Sequence, residues 1–134
     1  MGHSGGGLGT IALAEKKPAG LLGAISAAGA RGGVCADGGY LSGGFFNRNM
    51  TVTYHNFGVN SALPVLMLYA ENDPRTARAE PWRDAYVGEG GKAELVDLPR
   101  QPRSGHSVAR WDPADWIPPG SRFLESLGLP PLER

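Results

Sequence analysis

The chain of 134 residues is long enough for one domain with one core, and its 13 basic and 13 acidic residues cancel. That balance excludes a global field that draws nucleic acid or an anionic membrane, and the single cysteine, Cys35, excludes an intrachain disulfide. No apolar run reaches the roughly 18–20 residues of a membrane span, and the Gly/Ala-rich start, interrupted by Glu15, Lys16 and Lys17, lacks the basic leader of a signal peptide.

Taken in order, the chain opens on Gly2-His3-Ser4-Gly5-Gly6, a turn pattern, and passes into a helix over about Gly5 to Lys16. Leu8, Ile11, Ala12 and Ala14 share roughly one face of that helix, Lys16-Lys17 suit its negative end, and Pro18 closes it. Gly20 to Ala27 is a continuous apolar run, the length of a strand buried on both faces. A Gly-rich loop follows from Gly29 to Gly44, and Met50 to Tyr54 alternates in the manner of a strand. Pro64 to Ala70 reads as a second buried strand, ending in Glu71-Asn72-Asp73-Pro74. A polar helix over Arg78 to Val87 turns Trp82, Tyr86 and Val87 inward, and Gly88, Gly90 and Gly91 end it. Lys92 to Leu98 is the third strand, closed by Pro99, and a polar loop leads to His106. Ser121 to Leu127 reads as a short closing helix with Phe123, Leu124 and Leu127 inward. Alternation of this kind predicts a mostly parallel sheet with helical crossovers.

The opening pattern is G-x-S-x-G. In a nucleophile elbow the serine sits on a sharp strand-to-helix turn, glycines on either side relieve the backbone crossing, and the hydroxyl is pushed out above the sheet. The amide after the serine, on Gly5, then points to where an oxyanion forms. Two further residues strengthen the motif: Asp73 just past a buried strand, and His106 in the loop after the next strand. His106 takes the proton of Ser4 and later protonates the leaving group. Asp73 sets the imidazole tautomer and stabilises the imidazolium. The chain order Ser, Asp, His is that of α/β-hydrolases.

Gly-His-Ser-Gly-Gly-Gly-Leu-Gly (2–9), Leu-Met-Leu-Tyr-Ala-Glu-Asn-Asp (66–73), and Gly-Lys-Ala-Glu-Leu-Val-Asp-Leu-Pro with Ser-Gly-His-Ser (91–99, 104–107) resemble the C-terminal half of an α/β-hydrolase of the dienelactone-hydrolase-like group. The resemblance implies a triad of Ser4, Asp73 and His106 and hydrolysis of esters, lactones or related acyl bonds. Dienelactone hydrolases proper carry cysteine where Ser4 stands, so their named substrate is not carried over. Relatives place strands and a loop with a second oxyanion donor before the elbow, and helix over residues 35 to 63, where Gly43-Gly44 and Met50 to Tyr54 do not read as helical. The chain is therefore expected to be a truncated hydrolase. Loss of one oxyanion donor costs a factor of about 10²–10³, so weak activity is expected.

Other readings attach to the same residues. Gly5 to Gly9 could be a phosphate loop, but lacks the G-K-[ST] ending and a preceding strand. Glu71 and Asp97 rival Asp73 as the acid; Glu71 is still near its strand and Asp97 lies inside one. His3 is placed as a pocket-lining residue, His55 on the surface, and Cys35 as a reduced bystander. Trp111 and Trp116 pack the C-terminal segment, with a pocket-wall role for Trp111 as the weaker alternative.

The expectation is thus a single partial domain over 1–134: an α/β chain, the C-terminal portion of an α/β-hydrolase fold with its N-terminal strands missing. Its function is acyl-bond hydrolysis on a small ester or lactone, without cofactor, metal, nucleic acid or membrane, in the cytoplasm. The alternative is a catalytically inactive remnant that associates with a partner or itself through an exposed sheet edge.

Overall fold

The structure, a computed structural model, describes residues 1–30, 43–74 and 79–133. Its described elements are β1 (Gly2–His3), α1 (Gly5–Lys16), β2 (Ala24–Ala27), α2 (Gly43–Gly58), β3 (Pro64–Ala70), α3 (Glu80–Gly88), β4 (Lys92–Leu98), a single 3₁₀ turn (Val108–Arg110) and α4 (Pro113–Ser126). The strands form one sheet in the order β1-β2-β3-β4, and every pairing is parallel. The register sets Gly2 beside Ser26, Ala24 beside Val65 and Pro64 beside Lys92. Because the strands are parallel, all their carboxyl ends lie on one edge, where the loops bearing Ser4, Asp73 and His106 emerge. The fold class is α/β, as expected.

β3 shows why the sheet needs helices on both faces. Val65, Met67 and Tyr69 point into a core built with α1, α2 and α3, while Leu66, Leu68 and Ala70 point into a second core under α4. All six are buried, so the strand reads as a continuous apolar run without alternation. β4, at the sheet's far end, is half-buried.

The bounds predicted for α1, β3 and β4 coincide with those observed. β2 is shorter than the apolar run that contains it. Gly20 takes φ 87° and the Leu21 amide donates to Pro18 O, so a turn occupies the start of the run. In α3, Trp82 and Tyr86 are buried as expected, but Val87 is exposed. The expected loop from Gly29 to Gly44 falls largely outside the described residues, as do Cys35 and Arg78.

Several expectations are overturned. The strand before Ser4, read as missing, is present as the two-residue β1, paired parallel with β2. Met50 to Tyr54 is not a strand but the middle of α2. Phe46, Met50 and Tyr54, spaced four apart, are buried together, whereas Val52 is half exposed; a strand would turn Val52 to the same side as Met50 and Tyr54. The threonines that suggested a strand fold their hydroxyls back, Thr51 onto Asn47 O at 2.9 Å and Thr53 onto Asn49 O at 2.8 Å. Helix also starts at Gly43, where Gly43-Gly44 did not read as helical. The closing helix begins at Pro113, well before Ser121, and runs through Pro118 and Pro119. Asp112 caps it by accepting from the Ala114 amide at 2.9 Å, and Pro113 suits a first turn. The internal prolines withdraw two amide donors, which packing of Trp116, Phe123, Leu124 and Leu127 on the second core offsets.

The α2–α3 seam depends on glycine. A Cβ at Gly58 would fall on the carbonyl of Tyr86, whereas one at Gly9, inside α1, meets nothing within 4 Å. Gly58→Ala should therefore lower the unfolding free energy by about 1–3 kcal/mol through overpacking. Gly9→Ala should raise it by about 0.5–1 kcal/mol through helix propensity. Urea unfolding of the two variants checks both signs.

Candidate active site

Ser4 joins β1 to α1 with φ 54° and ψ −123°, a conformation that L side chains rarely adopt. Its backbone is held on both sides: the Ser4 amide donates to Ala27 O at 3.0 Å, and Ser4 O accepts from Leu8 N at 3.1 Å and Ala30 N at 3.2 Å. Of the two motif glycines, sterics demand the first. A Cβ at Gly2 would fall on Gly6 O and Thr10 Oγ, while one at Gly6 would meet nothing within 4 Å. The second crowded position is Gly7, whose Cβ would lie 2.8 Å from Gly29 Cα. Gly5 opens α1, so its amide is among those a helix leaves without an intrahelical acceptor.

Asp73 follows β3 on a turn closed by its own amide to Ala70 O at 2.9 Å, and its side chain is fully buried. His106 Nδ1 lies 3.0 Å from Asp73 Oδ2, and His106 Nε2 lies 2.9 Å from Ser4 Oγ. A carboxylate can only accept, so Nδ1 carries the proton; in the neutral imidazole Nε2 is then the acceptor for the serine hydroxyl. Ser4, Asp73 and His106 thus stand in one hydrogen-bonded line, although separated by 102 positions between Ser4 and His106 and 33 between Asp73 and His106.

Residues that sequence reasoning missed hold the line together. Asn72 forms a reciprocal pair with the main chain of Gln101: Nδ2 donates to Gln101 O and Oδ1 accepts from Gln101 N, each at 2.9 Å. This latches the acid's turn to the start of the histidine loop. Gln101 is itself buried, donating through Nε2 to Pro99 O and Asp115 Oδ2 and accepting from the Asp112 amide. Gly105 lets the two loops touch, since a Cβ there would fall on the Asp73 amide. The Trp111 indole donates to Gly105 O at 2.8 Å, so this residue anchors the histidine loop from below. Asn72 and Gly105 stood inside the recognised segments without an assigned role; nothing in the pattern marked Gln101.

His3 is exposed, and its Nε2 is hydrogen-bonded to the main-chain carbonyl of His106, with the two rings 5.2 Å apart. Glu71 is exposed, with its amide on Leu98 O. Asp97 sits in β4 in register with Tyr69; partial burial, then the charge of Glu80, push its carboxyl above the usual range against the opposing pull of Arg83. His55 pairs with Glu89 at 3.1 Å. Among the described residues no cluster of His, Cys, Asp and Glu could hold a metal ion, and no helix is long and apolar enough to cross a membrane.

No family model, curated protein or solved structure matches the chain. What these residues can do is therefore judged from their chemistry and geometry.

The Asn72 latch makes a direct prediction. Asn72→Ala leaves both main-chain groups of Gln101 without those partners and should lower the unfolding free energy by about 1–3 kcal/mol. Urea unfolding measures it; unchanged stability would show that the latch holds nothing.

Proposed function

We propose that this chain is a serine hydrolase of α/β-hydrolase type, akin to the dienelactone-hydrolase-like group, acting on ester or lactone bonds. The observation that carries the reading is the continuous line from Ser4 Oγ through His106 to a fully buried Asp73, at the carboxyl edge of a parallel sheet. The strained backbone of Ser4 supports it, since a positive φ on a serine between strand and helix is the signature of a nucleophile elbow. The alternation of strands and helices around one parallel sheet is compatible with that reading.

In the reaction, Ser4 Oγ attacks the carbonyl carbon as its proton passes to His106 Nε2. Asp73, accepting from Nδ1, stabilises the imidazolium, and the Gly5 amide donates to the oxyanion. The bond to the leaving alkoxide breaks and His106 returns the proton to it, giving an alcohol and an acyl-Ser4. Water then attacks the acyl carbon, its proton goes to His106, and Ser4 recovers that proton as the acid is released. No cofactor enters. The second reading, an inactive chain that associates with a partner or itself through a sheet edge, draws on β1 standing at the end of the described strand order.

Hydrolysis of p-nitrophenyl acetate separates the two. Ser4→Ala and His106→Ala should fall to background, and Asp73→Asn should fall by a factor on the order of 10³–10⁴, or to background, through loss of the correct tautomer. Equal rates in wild type and Ser4→Ala would exclude the serine mechanism.

A further inference from the structure

The segment that holds Ser4 is itself held from the core. Ala27 O accepts from the Ser4 amide and Ala30 N donates to Ser4 O, so residues 27–30 bracket the serine's backbone. Within the bracket Ala28 takes φ 48° and donates its amide to Leu68 O at 2.8 Å. Gly29 cannot carry a side chain, because a Cβ would fall on Ser26 Oγ and press on Gly7 at the start of α1. The carbonyl of Gly29 meets two phenols: Tyr54 Oη from α2 at 2.8 Å and Tyr69 Oη from β3 at 2.7 Å. The two hydroxyls are themselves 2.8 Å apart.

Both tyrosines are buried, and burial raises both phenols, so each keeps its proton as a donor. Their rings are fixed against Trp82, Tyr54 stacked at 5.7 Å and Tyr69 edge-on at 5.9 Å. Two protons are thus distributed over three oxygens. Either phenol can satisfy Gly29 O while the other donates to the same carbonyl or to its neighbour's oxygen.

We propose that Tyr54 and Tyr69 are positioning residues for Ser4: a redundant pair of hydroxyl donors that fixes Gly29, and through it the 27–30 bracket that keeps the serine in its strained conformation. The inference rests on Ser4 being a nucleophile. It assigns to the hydroxyls a role beyond filling the core, which the rings alone perform. Phenylalanine retains ring volume and stacking, so Tyr→Phe isolates the hydroxyl.

The test is the second-order rate of phosphonylation by a fluorophosphonate, in which the Ser4 Oγ–P bond forms, the P–F bond breaks, fluoride leaves and the serine proton goes to His106. It is measured well below the urea midpoint of each protein, so that global stability does not enter. Tyr54→Phe and Tyr69→Phe should each stay within about threefold of wild type, because one donor remains; the double variant should be slower by about tenfold or more, the non-additive pattern of a shared acceptor and a misplaced reacting atom. The shape of the pH profile should not change, since the His106–Asp73 pair is untouched. A double variant as fast as wild type overturns the brace and leaves the nucleophile reading standing, whereas an unreactive wild type removes both. Should the double variant fail to fold, it is made in the stabilised Gly9→Ala background and compared with Gly9→Ala alone. A rate lower by about tenfold or more there supports the brace, and a rate equal to that of Gly9→Ala overturns it.

Discussion

A serine held at positive φ by three main-chain hydrogen bonds is the constraint on which the rest of this structure depends. Such a backbone costs on the order of 1–3 kcal/mol and persists only where its surroundings over-determine it. The surroundings here are Ala27 at the end of β2, which accepts the serine's amide, Ala30 three residues on, which donates to its carbonyl, and the close approach of Gly7 to Gly29. Parallel pairing of β1 with β2 delivers those groups in register, and the two buried tyrosines bear on the same segment. Core packing and site geometry are one problem in this half of the molecule.

A second problem is bringing distant loops together. Parallel strands place the three loops on one edge, but a common edge does not by itself align an imidazole with a carboxylate. That alignment comes from Asn72 clasping Gln101, from the absence of a side chain at Gly105, and from the Trp111 indole on the Gly105 carbonyl. Each works through the main chain, so the histidine is positioned by the path of its loop. His3, next to Ser4 in the chain, adds a further main-chain contact at His106 O.

These differences explain what was legible in the sequence. β3 was readable because its apolar run, Pro64 to Ala70, is the length of a strand and ends in turn residues, and β4 because Lys92 to Leu98 is a short segment bounded by Gly91 and Pro99. That Ser4, Asp73 and His106 converge was expected from their order, with Asp73 just past a buried strand and His106 in the loop after the next, although no strand was read before Ser4. α2 was not readable, because Met50 and Tyr54 lie on one side in a strand and in a helix alike. The discriminating residue, Val52, is apolar yet faces outward, and the threonine hydroxyls satisfy themselves within the helix. α4 was cut short because Pro118 and Pro119 are strong local stop signals, here overridden by the Asp112 cap and by tertiary packing. The latch around Gln101 escaped notice for another reason: its bonds run between a side chain and a distant main chain, which no spacing rule encodes.

The most direct test of the account is to treat folded protein with a fluorophosphonate and map the adduct by peptide mass spectrometry. The account predicts a single adduct, on Ser4, that is absent from His106→Ala and from urea-unfolded wild type, because the hydroxyl is reactive only while the imidazole is aligned on it. An unmodified Ser4 in folded wild type, or equal modification in His106→Ala, would contradict it.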